Sequence, residues 1–338
     1  MKNQVKNTDF AKSSAYLRVQ EKRLLDTAAF DRIIEAQDMQ EVYRIMSQNS
    51  SYDFTVMSRP DQYEGILRQE LLRVYEEGYK IAGQYPQIVE ILGTKYDFHN
   101  MKTALKAKHF KQRSKSPYIN AGGLSTELIE SFVQDMGAKS SLPAYAVQAI
   151  KDAEAAFASS GNPQYIDIEL DKAAFARMLT LCAELDNEFI TEYVQMLIDF
   201  YNLKSMLRVK DMGKEGGFLN QVLAPGGKNP MSFYSKSFGK PIAGMGQVFM
   251  YKYFGDAVTA GIELYESSGS FTGLERFLDN FAVEKTRKAK LIPFGPELLF
   301  AYILSKENEI RQIRILLTCK QSAMQGEEIR ERLRDNYA

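Results

Sequence analysis

"YDFHNMKTALKAK", residues 96–108, is written almost again 102 residues later as "IDFYNLKSMLRVK", residues 198–210. Asp97 aligns with Asp199, Phe98 with Phe200, Asn100 with Asn202, Lys102 with Lys204, Leu105 with Leu207 and Lys108 with Lys210. Phe98, Met101 and Leu105 stand at i, i+3 and i+7, and Phe200, Leu203 and Leu207 repeat the spacing, so each word is a helix with an apolar stripe. A helix needs no Asp-Phe-x-Asn-x-Lys order to form. Two copies at domain-scale separation therefore point to a duplicated unit.

A third copy is sought in "KENEIRQIRILLTCK" (306–320). Setting Ile310 against Met101 and Leu203 places Arg311 with Lys102 and Lys204, and Glu309 with Asn100 and Asn202. That register breaks at Arg314, which meets Leu105 and Leu207. The words "FDRII" (30–34), "FARML" (175–179) and "LERFL" (274–278) recur in order upstream. The remaining sequence is helical in period. "AYLRVQEKRLLDTAAFDRIIEAQDMQEVYRIM" (15–46) gathers its apolar residues on one broad face. Pro60 and Asp61 suit the start of a helix over 59–82. Ser125 or Thr126 is placed to cap a helix over 125–136, and Ser159-Ser160-Gly161 to stop one over 142–161. The Gly- and Pro-rich run 213–230 reads as an irregular connection. Strand alternation is nearly absent, and the fold class expected is all-α.

The composition excludes several functions. Across 338 residues, 43 basic side chains balance 43 acidic ones, which argues against non-specific nucleic-acid binding. Cys182 and Cys319 lie in apolar helical patterns and read as buried thiols. Neither they nor His99 and His109 have metal-ligand spacing, so no metal is expected. "APGGKNP" (224–230) has Val222 where a phosphate loop needs its first Gly, and Asn229 where it needs Ser or Thr. Other Gly-rich words follow no strand. No acid–base pair stands out, so no catalytic residue, cofactor or small-molecule substrate is expected. No apolar run is long enough to span a bilayer.

The Asp-Phe-x-Asn-x-Lys words, "IPFGPELLFAYILSKENEIRQIRILL" (292–317), "IRERLRDNYA" (329–338) and "AYLRVQEKRLL" (15–25) together resemble the C subunit of V/A-type rotary ATPases, whose eukaryotic relative is the d subunit of the vacuolar ATPase. The resemblance runs over essentially the whole chain. It implies a funnel of three similar helical bundles with pseudo-threefold symmetry, divided here as 1–122, 123–212 and 213–338. It further implies a non-catalytic rotor subunit on the cytoplasmic face of the membrane. Its partners would be the central stalk subunits and the proteolipid ring, between which it would transmit torque. Lys102, Lys204 and Arg311, with Asn100, Asn202 and Glu309 beside them, are the candidate stalk-binding residues. The alternatives are a helical scaffold outside rotary ATPases and a helical enzyme with an unrecognised site.

Overall fold

The computed structural model describes residues 5–49, 52–54, 62–110, 118–137 and 139–338. The fold is all-α, and no strand occurs among the described residues. The chain divides into two compact units, one Tyr85–Lys240 and the other Val5–Gln84 together with Pro241–Ala338.

The discontinuous unit begins with α1 (Ala11–Glu21), α2 (Thr27–Glu35), α3 (Met39–Asn49) and α4 (Tyr63–Ala82). The single amphipathic face read over 15–46 is thus three helices. Asp26 starts α2 by accepting a hydrogen bond from the Ala29 N–H at 2.8 Å, a local cap that interrupts the apolar period without disturbing it. The helix start expected at Pro60–Asp61 lies outside the described residues.

The continuous unit is built from α5 (Gln87–Phe110), α6 (Thr126–Gln134), α7 (Ala144–Ser160), α8 (Gln164–Leu185), α9 (Glu188–Asp211), α10 (Gly216–Val222) and α11 (Met231–Ser237). Ser125 caps α6 by accepting from Leu128 N–H, and Gly161 ends α7 at φ 65°, both as the sequence suggests. One core joins α5 to α8: Phe98, Met101 and Leu105 of α5 meet Phe132, Ile150, Ile166 and Leu170. Asp186, in the left-handed region at φ 54°, and Asn187, which caps α9 on Ile190 N–H, make a two-residue reversal between α8 and α9. The run 213–230, expected to be irregular throughout, contains α10.

The chain then returns to the first-described unit as α12 (Met245–Phe249), α13 (Gly255–Ser268), α14 (Thr272–Arg287), α15 (Pro296–Gln321) and α16 (Gly326–Arg332). Helices α13 and α14 cross closely. A Cβ on Gly261 would stand 2.6 Å from the Leu274 Cα, so only Gly permits the approach. Most of α15 from Pro296 to Leu317 is buried, with α1, α4 and α14 packed around it. No helix among the described residues is long and apolar enough to cross a membrane.

Candidate functional site: three acid–amide clamps

On α5, the repeated word holds the segment that follows the helix. The Asn100 amide donates to the Ile119 carbonyl and accepts from the Ile119 N–H, both at 2.9 Å. One turn earlier, Asp97 accepts from the N–H groups of Leu124 (2.9 Å) and Gly123 (3.1 Å). The sequence makes room for this contact. A Cβ on Gly122 would collide with the Asp97 carboxylate at 1.9 Å. Burial pushes the Asp97 carboxyl up to about 6, against the opposing pull of those two backbone N–H groups.

On α9 the same device recurs. Asn202 donates to the Ala224 carbonyl and accepts from its N–H, both at 2.8 Å. Asp199 accepts from the Asn229 N–H (3.1 Å), the Asn229 side-chain amide (3.0 Å) and the Tyr234 hydroxyl (2.9 Å). Here Gly227 is the residue with no room for a Cβ, which would lie 2.3 Å from Asp199. The "APGGKNP" turn is therefore a wrapping for a buried carboxylate.

On α15 the amide in this role is Gln312. It accepts from the Arg334 N–H at 2.8 Å and donates to the Arg334 carbonyl. Asn308 adds a bond to the Asp335 carbonyl at 2.9 Å. The acid one turn before Gln312 is Glu309, which accepts from Leu25 N–H (2.6 Å), the Tyr52 hydroxyl (2.9 Å) and Lys306 (2.8 Å). Lys306 is itself buried, and lies 3.3 Å from Glu70 and 5.0 Å above the Tyr52 ring. Burial, with the Glu309 charge second, holds the Tyr52 hydroxyl well above its ordinary value.

These contacts correct the register of the third word by three residues. Glu309 corresponds to Asp97 and Asp199, and Gln312 to Asn100 and Asn202. Ile313 then meets Met101 and Leu203, Arg314 meets Lys102 and Lys204, Leu317 meets Leu105 and Leu207, and Lys320 meets Lys108 and Lys210. The pattern is acid, apolar, any, amide, apolar, base. The mismatch at Arg314 was the available signal, since it set a base against the apolar stripe at Leu105 and Leu207, where the corrected register sets Leu317. Sequence reasoning passed over Gln312, Lys306 and Tyr234 because each differs in type from its counterpart or has none.

The candidate stalk-binding residues divide into two groups. Asn100, Asn202 and Glu309 are buried and occupied as described. Lys102 pairs with Asp171 at 2.5 Å, Lys204 is half-buried on α9, and Arg311 pairs with Asp279 at 2.9 Å. Arg314 is paired with Glu64 at 2.8 Å, both half exposed. The last basic residue of each word also anchors a neighbouring segment. Lys108 meets Glu154 (3.0 Å), Lys210 donates to the Phe238 carbonyl (2.8 Å), and Lys320 donates to the Ile34 carbonyl and to that of Ala36 (2.7 Å) at the end of α2.

The clamped segments lie 19, 22 and 22 residues beyond their amides, and none of these contacts assembles groups for chemistry. Over residues 13–332 the chain matches the family described as the ATP synthase (C/AC39) subunit. One relative is the C subunit of the V-type sodium ATPase of Enterococcus hirae, 22% identical over 321 residues that cover 95% of this chain and 97% of that one. Another is the C subunit of the A-type ATP synthase of Methanocaldococcus jannaschii, 22% identical over 342 residues that cover 96% and 86%. With the match running from α1 to α16 and through all three clamp words, the chain belongs to the ATP synthase (C/AC39) subunit family.

Proposed function

We propose that this chain is a non-catalytic coupling subunit of a rotary ATPase. In this reading it sits on the cytoplasmic face of the membrane, upon the proteolipid ring, and receives the foot of the central stalk. It passes torque between them during ATP-coupled movement of protons or sodium ions. The observation that carries the reading is the family match over residues 13–332, whose relatives are named as the C subunits of a V-type sodium ATPase and of A-type ATP synthases.

The repeated clamps fit such a role. A body that transmits torque has to be stiff, and a buried side chain bonded to both polar groups of one distant residue ties a connecting segment to its helix. The three clamp helices support a triplicated bundle, with the repeats interleaved along the chain. Lys102, Lys204 and Arg311 remain the basic residues proposed to meet the stalk, and the corrected register adds Arg314. Asn100, Asn202 and Glu309 serve the contact indirectly, by holding the helices that carry those residues.

The test is affinity capture of the tagged chain from detergent-solubilised membranes of cells that express it. Stalk subunits and ring protein should co-purify in fixed ratio. Recovery of the folded chain free of both would refute the reading.

A further inference from the structure

We infer that the turn between α14 and α15 is a membrane-contacting wedge that lodges Leu291 and Phe294 in the interface of an anionic bilayer. The inference rests on the reading that the chain works at a membrane surface. After α14 ends at Arg287, one tight turn, Lys288–Leu291, leads through Ile292, Pro293 and Phe294 to α15. Leu291 is 87% exposed and Phe294 38%, and Pro293 between them is exposed too. These are neighbours in one short run, unlike the scattered single apolar residues that any surface carries.

The run is held out rigidly. Arg18 of α1 donates from one nitrogen to the carbonyls of Ala289 (3.1 Å), Lys290 (3.0 Å) and Ile292 (2.7 Å). Those carbonyls flank Leu291 on both sides, so the side chain has no local path back to the core. From the other side, Lys290 donates to the Tyr337 carbonyl at 2.6 Å and lies 4.5 Å above the Tyr337 ring, and Arg287 donates to the Asn336 carbonyl.

The charge around the run selects the occupant. Residues 284–294 hold Lys285, Arg287, Lys288 and Lys290 against Glu284 alone, a net charge of four minus one, or +3. Exposed apolar side chains next to cations in sequence suit an anionic bilayer, in which acyl chains lie beneath negative headgroups. A single turn of a few residues is also far smaller than the roughly 800 Å² per partner of a standard protein interface. A lipid surface closes around such a point without a shaped partner.

Flotation of the full chain with vesicles tests the inference, comparing phosphatidylcholine alone with phosphatidylcholine containing phosphatidylserine. The chain should float with the anionic vesicles, and less so as salt rises. Leu291→Ser with Phe294→Ser should weaken flotation roughly tenfold or more without altering the circular dichroism spectrum. Lys288→Glu should weaken it and flatten the salt dependence. Failure of the wild type to float, or flotation of the double variant like the wild type, would overturn the inference. So would attachment that appears only when ring protein is in the vesicles, which would assign the run to a protein partner. Capture of stalk and ring from membranes is measured separately. A chain that co-purifies with them yet never floats sinks the wedge and leaves the coupling role standing.

Discussion

Asn202 has no exposed surface, and its amide meets both polar groups of Ala224. Truncation to Ala strands a buried N–H and a buried carbonyl. Each costs about 1–3 kcal/mol, so Asn202→Ala should destabilise the protein by about 2–6 kcal/mol in urea titration. A loss below about 0.5 kcal/mol, the size of an ordinary surface change, would mean that the clamp contributes nothing. Asp97 makes the second prediction at this scale. Its carboxyl is pushed up to about 6 by burial, above its value in the unfolded chain. The folded state therefore binds the proton more tightly, and the contribution of Asp97 to stability is full below about pH 4 and lost as pH rises through about 6. A shift of about two units corresponds to about 2–3 kcal/mol. Stability of the wild type relative to Asp97→Asn should fall by that amount between pH 4 and pH 7. A difference that stays constant across the window would place the Asp97 carboxyl at its ordinary value.

At the scale of elements, two glycines in helices should respond oppositely to the same change. Gly261 of α13 lies against α14, where a methyl group would meet the backbone of Leu274. A flexible side-chain end could rotate away, but a Cα cannot, so the helices must separate. Overpacking of this kind costs about 1–3 kcal/mol and outweighs the helix preference of Ala. Gly65 of α4 has nothing within 4 Å of its added Cβ. Gly65→Ala should raise the melting temperature, in line with up to about 1 kcal/mol of helix propensity, while Gly261→Ala lowers it. A rise for both would show that α13 and α14 do not pack as closely as described. The reversal at Asp186–Asn187 belongs to this scale as well. A left-handed residue followed by a side-chain cap turns α8 into α9 without a loop.

At the scale of the whole molecule, the corrected register makes a claim about which basic residue in α15 stands for Lys102 and Lys204. In a background of Lys102→Glu with Lys204→Glu, adding Arg314→Glu should weaken stalk capture more than adding Arg311→Glu, by roughly tenfold if an enclosed like-charge contact costs more than about 1.4 kcal/mol. Ring capture should persist, and circular dichroism should confirm folding. Equal effects would leave the register without functional weight. Two variants that both bind the stalk like the wild type would make these residues solvated or internally paired helix faces.

Residue order alone was enough for the all-α class, the helices of the repeated words, their buried apolar stripes and the kinship of the chain. All of these are written in local periodicity and in short words, which need no knowledge of distant contacts. The first two words were also in full view, because Asp-Phe-x-Asn recurs letter for letter, but the bonds of their amides to Ile119 and Ala224 were not. The third became visible only through its folded contacts. Gln312 replaces Asn and Glu309 replaces Asp, so the third word no longer matches by letter, and the bond to Arg334 is what brought out its register. Folding likewise settled that 15–46 is three helices, that 213–230 wraps a buried carboxylate, and that Lys306 lies between two glutamates in the interior. Each of these depends on what the rest of the chain brings to the residue, and a hydrogen bond spanning 22 or 284 positions leaves no local trace in the sequence.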